Sequence, residues 1–138
     1  MFRVMTPTDD NRPAVGSSAR LLGVRVPPAQ HVDIEPTSDG MVSPGTSGMS
    51  VSPSFATLPP LRVPERLRAH YRGARGRDED RVFTMGEGAF EAARVTERLD
   101  LLPDRPGHGV VRPARVMSLD AYQAALADTA PDWRIEEP

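Results

Sequence analysis

GMVSPGTSGMSV, residues 40–51, sets three glycines, three serines, a threonine and a proline among Met41, Val42, Met49 and Val51. Composition alone reads the stretch as a flexible linker. Its apolar ends support a second reading, a polar turn held between two short strands with Ser50 directed into a cleft, because glycines let a backbone approach a ligand closely. What lies on either side decides between the two.

Upstream, HVDIEP (31–36) alternates Val32 and Ile34 against Asp33 and Glu35, the period of a half-buried strand. Before it, RLLGVRVPP (20–28) is apolar and ends at two prolines, and FRVM (2–5) predicts an opening strand broken by the turn formers TPTDDNRP. Downstream, Pro53, Pro59, Pro60 and Pro64 exclude a helix interior and a central strand, so this segment crosses the surface as loop. Residues 40–51 therefore stand between an expected strand and a proline-rich crossing.

Farther along, PERLRAHYRGARGRDEDR (64–81) opens with a proline suited to a first helical turn and meets Gly73 and Gly76, which limits any helix there to about two turns. RVFTM (81–85) reads as a buried strand. Good helix formers run from Ala89 to Leu99, with Ala92, Val95, Leu99 and Leu102 on one face at helical spacing. PDRPGHG is a turn, and VVRPARVM (110–117) resumes an extended pattern that Pro113 assigns to an edge or a bulge. The last helix is the clearest: Ser118 suits its N-cap, Asp120 suits its positive end, and Leu119, Tyr122 and Leu126 share a face. Five or six short strands with two or three helices, irregularly spaced, give an α+β class rather than repeating βαβ units.

The 138 residues, 38% of them hydrophobic, suffice for one domain with a modest aliphatic core. A net charge of −2 provides no global field to gather nucleic acid or an anionic membrane. All 17 basic residues are arginine, which reflects genome composition more simply than selected chemistry. Without cysteine there are no disulfides, thiolate metal sites or cysteine nucleophiles. No apolar run approaches the roughly 20 residues needed to span a bilayer, and the N-terminus lacks the continuous apolar stretch of a secretory signal.

His31, His70 and His108 lie far apart with no helical pairing, so no metal site is expected. Asp78, Glu79 and Asp80 sit between Arg77 and Arg81 and read as a solvated turn. Arg62 to Arg81 holds seven arginines against four acids, with Tyr71 as its only aromatic stacking surface. That favours a loop paired with its own acids, or docking on an acidic partner, over nucleic-acid binding. No GxGxxG, P-loop or G-x-S-x-G motif occurs.

Three blocks, taken in order, carry more information than any one. Phe2, Arg3 and Val4 open the chain. Asp33 and Ile34 are followed by Asp39, Gly40, Pro44, Thr46, Gly48, Ser50 and Val51, and then come His108, Pro113, Ala114, Arg115 and Met117. In this order the chain resembles the small ADP-ribosyltransferase-like toxins delivered by bacterial type VI secretion, and their stand-alone relatives. The resemblance implies one α+β domain over residues 1–138, a small split β-sheet ADP-ribosyltransferase-like fold with a C-terminal helix and a cleft for NAD.

By the same resemblance Arg3, Ser50 and His108 are the catalytic candidates, and Arg3, Gly48, Met49 and Ser50 the NAD-binding ones. Arg3 would contact the NAD phosphates or ribose, its plain alternative being a surface residue on an edge strand. Ser50 would position the arginine or the nicotinamide ribose, although Met49 stands where the family often has a hydroxyl. His108 would hydrogen-bond NAD or a backbone turn. The glutamate that grips the ribose in many such enzymes has no clear counterpart, Glu87 and Glu91 being the nearest candidates. The resemblance further implies action in the cytoplasm of a bacterial cell reached by specialised secretion, an unknown ADP-ribose acceptor and a cognate immunity protein as partner. A scaffold without turnover that binds an acidic protein is the alternative.

Overall fold

The computed structural model describes residues 1–138. Nine strands and one α-helix follow in order: β1 (Phe2–Met5), β2 (Met41–Val42), β3 (Met49–Val51), β4 (Arg81–Thr84), β5 (Ala93–Thr96), β6 (Leu99–Arg105), β7 (His108–Pro113), β8 (Met117–Ser118), α1 (Leu119–Ala127) and β9 (Arg134–Ile135). They form sheets ordered β1-β4-β9, β2-β8 and β3-β7-β6-β5, every pairing antiparallel. The α+β class and the terminal helix are as expected.

FRVM shows why the molecule is layered. Side chains of a strand alternate between faces, and both faces of β1 are covered. Val4, with Phe2 against it, joins a small apolar cluster with Leu58, Val63, Leu67, Ala74 and Val82. Met5 enters the main core with Leu22, Phe83, Leu99, Tyr122, Leu126 and Trp133. The proline-rich crossing supplies the cover for the first face: no strand forms from residue 53 to residue 80, and only single 3₁₀ turns occur, at Phe55–Thr57 and Glu65–Leu67. Arg3 therefore lies between two layers.

α1 holds the four-stranded sheet in register. Ser118 caps it by accepting the Ala121 N–H at 3.0 Å, and Tyr122 beneath donates its hydroxyl to the Val111 carbonyl of β7 while accepting the Met49 N–H of β3 at 3.2 Å. Burial is the main cause that pushes the Tyr122 phenol well above its ordinary pKa, so the donor stays protonated.

In place of five or six strands and two or three helices there are nine short strands and one α-helix, and three local expectations fail. Residues 89–99 form no helix; they run into a β-hairpin, β5 against β6, whose outer neighbour is β7. The helical spacing of Val95, Leu99 and Leu102 coexists with a period of two in Leu99 and Leu101, both buried, and pairing with β7 selects the second. HVDIEP is not a strand. The Asp33 carboxylate turns back to accept the Arg25 N–H at 2.7 Å and its guanidinium at 2.9 and 3.0 Å, which commits the segment to a loop and leaves Val32 exposed. Finally, β7 is an interior strand, and Pro113 is tolerated because it is the last residue, opposite Leu99.

GMVSPGTSGMSV is strand, loop and strand, although its two strands pair elsewhere: β2 with β8, β3 with β7. Its middle is fastened by Arg112, which donates to the Gly45 carbonyl at 2.8 Å, and by the Gly48 N–H, which donates to the Asp33 carbonyl at 3.1 Å.

Candidate active site

The backbones of the two larger sheets are bridged at one point. Phe2 and Ser52 exchange both backbone hydrogen bonds, at 2.8 and 2.9 Å, and there β1 and β3 part. The next paired position of an antiparallel ladder would set Val4 against Ser50. Instead, the Ser50 carbonyl accepts Nη1 of Arg3 at 2.8 Å. Nη2 of the same arginine reaches the carbonyls of Leu21 at 2.9 Å and Ala19 at 3.3 Å. One side chain thus replaces a stretch of ladder and ties residues 19–21 into the gap. Only 7% of Arg3 is exposed, so the surface alternative for it fails. Burial lowers its pKa to about 10, with Asp33 opposing, and it remains a cation at neutral pH.

A groove of about 310 Å³ opens along this split, near the lower end of the roughly 300–1,000 Å³ usual for small-molecule sites. Arg3, Ser50 and His108, brought from three distant parts of the chain, all line it. Phe2, Leu58 and Leu61 give it apolar wall, and Leu61 is 65% exposed. Ser50 lies between the buried Met49 and Val51 and therefore faces away from the core, with a hydroxyl that makes no hydrogen bond within the protein. It positions Arg3, but through its carbonyl.

His108 opens β7 just after the hairpin turn Pro106–Gly107, where Gly107 supplies the positive φ of +77° that such a turn requires. Its Nδ1 faces Asp104 Oδ1 at 2.6 Å. Burial opposes ionisation of Asp104, but the His108 contact and the Arg105 charge outweigh it and hold the carboxyl below its ordinary range. The expected partner of His108 was a backbone turn or NAD; the protein supplies a carboxylate, which orients the ring and leaves Nε2 for other work.

Arg25, Arg62 and Arg105 also line the groove, and no aspartate or glutamate does. The wall is therefore cationic, suited to an anionic ligand. Arg25 is neutralised by Asp33, and Arg105 touches Asp104 at 3.4 Å. Glu87 and Glu91, the nearest glutamates by sequence, are exposed and outside the groove; Glu87 lies 3.9 Å from Arg134 instead.

Gly48 and Met49 are also outside it. Met49 is a core side chain, 1% exposed. A Cβ on Gly48 would stand 2.4 Å from the Val111 carbonyl oxygen, so the glycine serves the approach of β3 to β7 rather than that of a ligand. Asp80, read as part of a solvated turn, is buried and accepts the Thr6 hydroxyl at 2.8 Å. Sequence reasoning passed over Arg25, Arg105 and Asp104, and met Arg62 only as the first of an arginine-rich run. Of the three passed over, only Asp104 left a signal, four residues before His108 across a Pro-Gly turn.

A family model described as Tse2 ADP-ribosyltransferase toxin matches residues 1–136. No curated protein and no solved structure matches the chain.

Proposed function

Because the chain belongs to the Tse2 ADP-ribosyltransferase toxin family, we propose that its groove binds NAD and that the protein acts as a toxin by transferring ADP-ribose to an acceptor or to water. One observation carries the reading: Arg3, Ser50 and His108 converge on a single groove whose wall is cationic.

Cleavage of the bond between nicotinamide and ribose leaves the electron pair on the ring nitrogen and positive charge on the ribose, as in glycoside hydrolysis. No lining carboxylate balances that charge here, so the rate rests on positioning. The free Ser50 hydroxyl orients the ribose. His108, fixed by Asp104, accepts through Nε2 the proton that the attacking water or acceptor hydroxyl must lose. As a toxin directed at so general a metabolite, the protein requires a neutralising partner in the cell that makes it.

The decisive measurement is NAD consumption and nicotinamide release by the purified full chain, with and without bacterial extract. His108→Asn is expected to lower turnover by about a hundredfold, in the range of a lost general base. Wild-type protein that neither binds nor consumes NAD would end this reading. The missing lining carboxylate, together with the exposed and unpaired Arg72 and Arg75, favours a second: a scaffold without turnover that docks an acidic protein. Charge reversal at Arg72 and Arg75 would then abolish capture of that partner and leave NAD levels untouched.

A further inference from the structure

One cation on the groove wall is left over. Arg62 is half-buried, and its guanidinium makes neither a hydrogen bond nor an ion pair with the rest of the protein. Burial first, then the charges of Arg20 and Arg25, lower its pKa below the ordinary arginine value, against the opposing charges of Asp80 and Asp33. In the Arg-rich loop beyond, Arg66 is bound to Glu137 at 2.7 Å, Arg68 to Glu65 at 3.2 Å and Arg77 to Glu79 at 3.0 Å, while the unpaired Arg72 and Arg75 are exposed and outside the groove.

Two of the other lining arginines have little left to offer, while Arg105 is exposed at the rim and touches Asp104 at 3.4 Å. Both terminal nitrogens of Arg3 are committed to backbone carbonyls, and its Nε is buried without a partner. Arg25 is engaged in a two-pronged pair with Asp33. A half-buried guanidinium without a partner is unfavourable in the free groove and is satisfied by a dianion, whose paired oxygens match its planar fork. A diphosphate fits that requirement, and no carboxylate lines the groove to repel it.

We propose that Arg62 holds the diphosphate of the nucleotide, and that Arg3 is a positioning residue that shapes the groove without touching those phosphates. The inference rests on the reading of the groove as an NAD site, but it predicts binding of inorganic pyrophosphate and ADP-ribose in their own right.

Titration of the full chain with pyrophosphate, ADP-ribose and NAD tests it, using wild type, Arg62→Ala, Arg62→Lys and, as a charge control outside the groove, Arg72→Ala. Arg62→Ala is expected to weaken all three by roughly tenfold or more, with partial recovery in Arg62→Lys and none of the loss in Arg72→Ala. Its melting temperature stays at the wild-type value, because the side chain has no partner to lose. NAD binding unchanged in Arg62→Ala overturns the assignment and spares the NAD site, as does an equal loss in Arg72→Ala. Pyrophosphate binding that depends on Arg62, in a protein indifferent to NAD, supports the diphosphate site and overturns the NAD reading. Wild type that binds none of the three overturns both.

Discussion

A single guanidinium at position 3 does the work of several backbone hydrogen bonds, and its geometry separates it from Ser50 in experiment. Arg3→Lys keeps the charge but replaces a planar fork with one ammonium, leaving carbonyls of Ser50, Leu21 or Ala19 unpaired. It is expected to lose about 1–3 kcal/mol in urea unfolding. Ser50→Ala removes a hydroxyl with no internal partner, so its stability stays within about 0.5 kcal/mol of wild type while NAD turnover falls. An equal destabilisation by both substitutions would make the hydroxyl structural. The order of motifs pointed to Arg3, Ser50 and His108 together, but not to their division of labour. Nothing in FRVM tells that both faces of the strand are covered. Nor does anything in a segment with seven arginines single out Arg62 as the one facing a groove.

At the scale of elements, β9 and the residues after it act as a clasp. Glu137 accepts both Nη atoms of Arg66 at 2.7 Å and the Val82 N–H of β4 at 3.1 Å, joining the C-terminal strand to the loop below. Burial alone would raise its pKa, but the Arg66 hydrogen bonds and charge and the Val82 N–H together depress it. A carboxyl depressed by folding contributes stability above its unfolded value, about 4.3, and that contribution is lost as pH falls through the folded value. Glu137→Gln is therefore expected to cost about 1–3 kcal/mol at pH 7 and to converge on wild type in acid, as melting at pH 7 and pH 3 would reveal. A constant gap at both would refute the clasp. Elements whose local pattern agreed with their partners, β1, β4, β7 and α1, were legible in the sequence. The β5–β6 hairpin was not, because helical and strand periods were both present and pairing with the following strand, β7, made the choice. HVDIEP misled for a similar reason: its acidic residue was a loop-forming acceptor, not the polar face of a strand.

For the molecule as a whole, the feature that matters is a sheet that fails to close. The cationic groove exists because β1 and β3 separate after one bridge, and its electrostatics give a bulk property to measure. NAD affinity is expected to fall severalfold as salt rises from about 0.05 to 0.5 M, where screening shortens from roughly 14 Å to 4 Å, and to fall less in Arg62→Ala. Salt-independent affinity would mean that the arginine wall does not take part. The sequence foretold the split-sheet class through resemblance, since a divergence between strands is a relation among distant segments that no local pattern encodes.

The groove also has no half-built form. Arg3 and Ser50 come from the first half of the chain, while His108, the β7 strand that pairs β3 and the Tyr122 hydroxyl that locks them come from the second. A backbone cut in the 86–92 loop would leave two pieces, each with part of the wall and neither with a cleft. Brought back together by fused dimerising tags, the pieces would regain it jointly, so the toxin would report on its own reassembly.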